Sequence, residues 1–227
     1  MRRACARVVA ALSVVVPLVL VASPSSAATP LIYRLRGIGD GTQVISVTNT
    51  SWSSTYATVR AWEKQSNGSW RQVFGPWTAR VGRNGFGSPK REGDGQSPVG
   101  AFRVFWMFGV QPLSGTQYHY TKVDRSDVWV DDPGSAYYNL HERLPANGRW
   151  RSAESLYQPT AYAYAAQIGY NTARVPGAGS AIFLHVSTGS ATAGCVSLPA
   201  SQVVALLRWM NWYKRPRVIM GPESAVA

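Results

Sequence analysis

The run Thr192-Ala193-Gly194-Cys195-Val196-Ser197-Leu198 sets one thiol among small and apolar residues. It follows the apolar segment Ala181-Ile182-Phe183-Leu184-His185-Val186, which carries an imidazole near its end. A thiol is a weak nucleophile until it loses its proton. A neighbouring histidine can take that proton and later return it to a leaving amine. His185 and Cys195 each lie five residues from Ser190. If the two segments pair as a hairpin centred there, the side chains stand opposite one another with Cβ atoms about 4.5–5.5 Å apart. A one-residue slip in register would send them to opposite faces. Gly194 lets backbone N–H groups approach a developing oxyanion. Thr192 and Ser197 flank the same loop. A helix beginning near Pro199 would aim its positive end at this region, although Pro199 itself offers no N–H.

Each residue also has a plainer reading. A strand histidine is often half-buried packing, and a cysteine beside glycine often fills a core. Gly194 reads equally as a bulge and Thr192 as turn chemistry. The combination favours nucleophilic catalysis over these single-residue readings. No metal or cofactor is expected: His119 and His141 are scattered, and no C-x-x-C or H-x-x-x-H spacing occurs. Asp131-Asp132 beside Pro133 reads as a turn rather than as a pair of catalytic carboxylates.

The N-terminus changes what the thiol means. Arg2, Arg3 and Arg7 precede a fifteen-residue apolar run, Val8 to Ala22, and the small residues Ser25-Ser26-Ala27-Ala28 follow. Residues 1–28 have the pattern of a secretory signal removed on export; an uncleaved anchor is the alternative. The run is shorter than the about 20 residues of a membrane span, so no stable span is expected after processing. Cys5 would leave with this segment, and Cys195 would be a lone thiol in an oxidising compartment, which points to a reactive group or an intermolecular bond. The formal charge of +12 falls by three to +9. Such a basic surface outside a cell suits envelope polymers or lipid head groups better than nucleic acid. The oligomeric state is not legible.

The elements that must position these residues read as mainly β. With 45% hydrophobic residues, nine Trp and 15% charged residues, the chain is neither disordered nor a coiled coil, and two cysteines exclude a disulfide-stapled miniprotein. Gln43 to Thr48 alternates as a half-buried strand, and Tyr56 to Trp62 repeats the habit. Asn67-Gly68 marks a hairpin into Trp70 to Phe74. Glycines 82 to 95 read as turn punctuation. Further strands are expected at Val99 to Phe108, Asp127 to Val130, Ala161 to Ile168, Ala181 to Val186 and Arg217 to Gly221, and a short helix at Ser152 to Tyr157. One long helix is expected over Pro199 to Tyr213, with Val203, Leu206, Leu207 and Met210 on its inner face. Residues 29–227 read as one domain, with strands 31–75 as a candidate extension.

At Cys195 the sequence resembles the L,D-transpeptidase (YkuD-type) catalytic domain. The family signature is an upstream His followed by Ser/Thr-His-Gly-Cys and an apolar residue, matched here by His185 and Thr192-Ala193-Gly194-Cys195-Val196. Ser97-Pro98-Val99-Gly100-Ala101-Phe102 resembles the family's Thr-Pro-x-Gly-x-Phe strand. Tyr137-Tyr138-Asn139 and Gly169-Tyr170-Asn171 resemble secreted actinobacterial-type members. The ordered likeness runs from about Val44 to Gly221. It implies a β-rich, sandwich-like catalytic fold and a peptidoglycan stem peptide as substrate. It implies Cys195 as nucleophile, His185 as base and Gly194 as the oxyanion-loop glycine. The thioester formed on loss of terminal D-Ala would pass to a diamino-acid amine, or to water in an L,D-carboxypeptidase. Ala193 stands where the family has His, Ser197 stands where many members have Arg, and the His-to-Cys loop is shorter. Arg149, Arg151, Arg174 or Arg208 would then supply the missing charge. A noncatalytic wall-binding module is the alternative of another class. A papain-like order is set aside, because there the Cys precedes the His.

Overall fold

The computed structural model describes Met1 and residues 28–227. Apart from its two ends, the expected export segment, Cys5 included, lies outside the described residues. A single 3-10 turn, Leu31–Tyr33, precedes β1 (Gln43–Asn49), β2 (Tyr56–Lys64) and β3 (Trp70–Arg80). Two short strands follow, β4 (Phe86–Gly87) and β5 (Ser97–Pro98), then the long β6 (Gly100–Gly109) and β7 (Tyr120–Lys122). After these come β8 (Asp127–Val130), β9 (His141–Arg143), β10 (Ala153–Ser155), β11 (Ala165–Ile168), β12 (Phe183–Val186) and β13 (Val196–Leu198). Helix α1 (Ala200–Trp209), β14 (Arg217–Pro222) and the short α2 (Glu223–Val226) end the chain. The fold is mainly β with one substantial helix, as the alternating patterns predict. No helix among the described residues is long and apolar enough to cross a membrane.

The main sheet runs β11-β12-β13-β3-β2-β1-β14-β6-β7, and β11 also pairs with β6. That second pairing closes the sheet into a barrel with β7 on its flank, which removes the open edges of the ring strands. Residues 31–75 supply β1, β2 and the start of β3, inside this sheet. Helix α1 packs on β11 and β12. Its Val203, Leu206 and Leu207, and Met210 just past its end, are fully buried, as their spacing predicts.

Four local expectations give way to tertiary partners. β1 is buried on both faces: Ile45 and Val47 join the main core, while Val44 on the other face packs in a second cluster with Leu31, Ile32 and Val226. Its polar residues are satisfied inside: Ser46 accepts the Trp62 indole N–H at 3.0 Å, and Gln43 bonds both Trp209 O and Asn211 N. That glutamine also explains why α1 stops at Trp209, short of the predicted Tyr213. It occupies the carbonyl and amide that would continue the helix, and Met210 turns extended. Residues 152–157 form no helix. Ala153–Ser155 is instead β10, antiparallel to β8 in a three-stranded sheet with β9. The strand expected from Ala161 begins only at Ala165, since Tyr162 N and Ala163 N bond back to Gln158 O and Thr160 O in a turn.

The expected hairpin between the histidine and cysteine segments does not form. β12 and β13 are parallel, with Leu184 opposite Val196, His185 opposite Ser197 and Val186 opposite Leu198. The connecting loop is captured by the end of β3: Thr192 N donates to Val81 O at 2.9 Å, and Arg83 N donates to Thr192 O at 2.8 Å. Held there, the chain turns back and re-enters the sheet in its original direction. The outcome for the site is unchanged in one respect. Ser197 shares a face with its register partner His185, and Cys195, two residues earlier, shares it too.

Candidate active site

Two hydroxyls shape the loop that carries Cys195. The fully buried Ser97 Oγ accepts the Gly82 N–H at 2.9 Å and donates to Gly194 O at 2.7 Å, with Cys195 O next at 3.3 Å. Thr192 Oγ1 donates to Cys195 O at 2.7 Å and accepts the Gly194 N–H at 3.1 Å. Gly194 has φ +148, and a Cβ there would lie 2.8 Å from Gln96 O, so the turn admits only glycine. The Gly194 N–H is therefore engaged by Thr192 and is not a free donor.

The thiol is buried and neutral at rest. Cys195 Sγ donates to Ala181 O and accepts the Phe183 N–H, both at 3.3 Å. Burial pushes its pKa up to about 12, Glu154 adds to the rise, and the Phe183 N–H and Lys90 oppose it. His185 bonds Val186 O through Nδ1 at 2.9 Å. A carbonyl only accepts, so Nδ1 carries the proton and Nε2 keeps the lone pair a base needs. Burial lowers the His185 pKa; the Val186 carbonyl on Nδ1 and the nearby Ala161 carbonyl oppose that shift. A lowered pKa means that the unfolded chain takes up a proton in acid which folded His185 refuses. Its contribution to stability is thus complete above the ordinary imidazole value of about 6.5 and is lost as pH falls through the depressed one. The Tyr162 ring stands edge-on to the imidazole, 5.4 Å between centroids.

Cys195, His185, Thr192 and Ser197 all line one cavity of about 350 Å³, and Gly194 supports it from behind. Ala193 lines it where a histidine stands in the resembling family. Ser197 Oγ is buried there without a hydrogen-bond partner. The arginines expected to bring charge are elsewhere and occupied: Arg149 pairs with Glu142 and Arg151 with Asp132, while Arg174 and Arg208 donate to Ala136 O and Ser114 O. The cation that lines the cavity without a carboxylate partner is Arg83; Lys90 also lines it, paired with Asp94 at 2.7 Å. Sequence reasoning missed Arg83 because the glycine-rich connection read only as turns. It missed Glu154 and Tyr162 because their segments were misassigned. Ser97 had a signal, its place in the Ser-Pro-x-Gly-x-Phe strand.

Among known families, residues 53–220 match the L,D-transpeptidase catalytic domain, YkuD. The match runs from the turn before β2 into β14, well over half of the chain. No curated protein and no solved structure matches the chain.

Ser97→Ala strands the Gly82 N–H and the Gly194 carbonyl in the interior. It should cost about 1–3 kcal/mol in urea unfolding and loosen the loop, seen as faster alkylation of Cys195. Unchanged stability and alkylation would show that the hydroxyl holds nothing. With wild-type protein, iodoacetamide labelling mapped to the Cys195 peptide should be slow at neutral pH and still be climbing as pH approaches about 12. A plateau near the free-thiol value of about 8.5 would contradict the buried neutral thiol.

Proposed function

The chain belongs to the L,D-transpeptidase catalytic-domain family, and from that premise we propose that it rebuilds peptidoglycan stem peptides through a thioester on Cys195. The observation that carries this reading is that the thiol and an imidazole held through Nδ1 by the Val186 carbonyl line the same cavity.

The resting pair is neutral, so His185 acts as a general base during attack rather than as half of a preformed ion pair. Substrate entry turns the thiol from Ala181 O toward His185 Nε2. Sulfur attacks the carbonyl between the L-centre and the terminal D-residue as Nε2 takes its proton. The departing D-Ala nitrogen then receives that proton, leaving a thioester. Gly194 is spent on the loop. The Cys195 N–H, which meets no side-chain or loop acceptor among the described residues, and the unpartnered Ser197 hydroxyl are the donors this reading assigns to the oxyanion and to the donor strand. Arg83 is the cation available to a stem carboxylate. Attack by the amine of a diamino acid on a second stem gives a cross-link, and attack by water makes the same thioester serve an L,D-carboxypeptidase. Export through residues 1–28 and work at the cell envelope complete the proposal; they rest on the signal-like N-terminus and the basic surface.

A carbapenem-type acyl donor should leave a mass adduct on the wild type and none on Cys195→Ala. His185→Ala should acylate about 10²–10⁴-fold more slowly at neutral pH. An adduct persisting on Cys195→Ala, or a wild-type rate for His185→Ala, would remove the assigned residue from the mechanism.

A further inference from the structure

The protein has 23 Lys and Arg against 11 Asp and Glu, so carboxylates have no shortage of partners. All but three of them are ion-paired with Lys, Arg or His. The three without a cation among the described residues are Glu92, Asp131 and Glu154, and all three line the cavity that holds Cys195. Each is fixed through one oxygen by neutral donors. Tyr138 OH donates to Glu92 Oε2, Ser152 Oγ to Asp131 Oδ1, and Tyr162 OH and Gln158 Nε2 to Glu154 Oε1. The other oxygen of each makes no hydrogen bond to the protein among the described residues. The same cavity is lined by two hydroxyls, Ser180 Oγ and Ser197 Oγ, that are more than nine-tenths buried and equally unpartnered. Arg83 and Lys90 line the cavity too, but neither is within ion-pair distance of these carboxylates, so the three acids and the buried hydroxyls suit a cationic, hydrogen-bonding ligand.

We propose that the Glu92, Asp131 and Glu154 wall binds the ammonium group of the acceptor stem, and that Glu154 takes its first proton. This rests on the thioester reading above and assigns that reaction its second substrate. The acceptor arrives as R–NH3⁺ and is not nucleophilic until it loses a proton. Glu154 carboxylate accepts that proton and becomes a carboxylic acid. The freed nitrogen lone pair forms a C–N bond to the thioester carbon, and the C–S bond breaks with its electron pair on sulfur. His185 Nε2 carries the second nitrogen proton to the sulfur, restoring the thiol, and Glu154 later releases its own proton to solvent. Burial raises the Glu154 pKa, against Tyr162 and Gln158, while Asp131 and Glu92 reinforce the rise. That makes it a better proton acceptor than a surface carboxylate. Tyr162 places it, since its hydroxyl holds Glu154 while its ring abuts His185 and packs beside Cys195.

The test uses the full chain with a disaccharide-tetrapeptide as donor and a diamino-acid-bearing tripeptide stem as acceptor, products being separated by mass. Glu154→Gln removes a charge that opposes the Cys195 thiolate, so it should still form the carbapenem-type adduct, no more slowly than wild type. Its ratio of cross-linked dimer to hydrolysed tripeptide should fall about tenfold or more. Asp131→Asn should raise the acceptor concentration needed for half-maximal dimer. An unchanged dimer-to-tripeptide ratio in Glu154→Gln, or acylation lost in parallel with transfer, overturns the assignment. So does a wild type that acylates but only hydrolyses in excess acceptor. A wild type that forms no adduct on Cys195 instead defeats the thioester reading itself. Should Glu154→Gln not fold, Glu154→Asp, which withdraws the carboxylate, must show the same shift in product ratio, and its failure to do so counts equally against the proposal.

Discussion

One buried hydroxyl holds the site together. Ser97 Oγ meets the Gly82 N–H, the Gly194 carbonyl and the edge of the Cys195 carbonyl, three backbone groups from two distant stretches of chain. Water does not reach that position, so each group would be orphaned without it. The Thr192 hydroxyl finishes the arrangement from inside the loop. Because the loop is pinned at Gly82 and Val81, the chain returns to the sheet parallel to β12 rather than as a hairpin. Parallel register then sets Cys195, Ser197 and His185 on one face. Barrel closure does the rest: β11 pairs with both β12 and β6, and α1 covers them from outside.

The electrostatics of the cavity run against those of the molecule. A protein with a formal charge of +12 lines its one thiol among the described residues with carboxylates that no cation neutralises. The immediate consequence is a thiol kept protonated, because burial and a nearby acid both oppose thiolate. In the proposed reaction the thiol stays inert until substrate fills the cavity and the imidazole can share its proton. The acidic wall that opposes the thiolate also suits a positively charged acceptor, so in the proposed reaction one feature serves both halves of the transfer.

Much of the fold was legible because it depends on local periodicity. Alternation located β1 and β2, an apolar run located β6, Asn67-Gly68 located the first hairpin turn, and the i, i+3, i+4, i+7 spacing gave the buried face of α1. The thiol and the histidine were legible by residue type. What escaped was set by partners remote in sequence. The symmetry of the loop about Ser190 says nothing of Val81 capturing Thr192. The pattern at Ser152 to Tyr157 says nothing of the open edge of β8 that makes it a strand. Choosing Arg83 over Arg149 or Arg151 requires knowing which arginines are already bonded. That Glu92, Asp131 and Glu154 lack partners is a property of the whole fold, with no trace in their spacing.

The central claim is that Cys195 carries the stem peptide between donor and acceptor. The direct measurement is an acid quench during turnover of a disaccharide-tetrapeptide, followed by mass mapping of the trapped protein. The disaccharide-tripeptide acyl group should be found on Cys195, with free D-Ala in the supernatant. D-Ala released with no acyl group on Cys195, or an acyl group trapped on another residue, would contradict it.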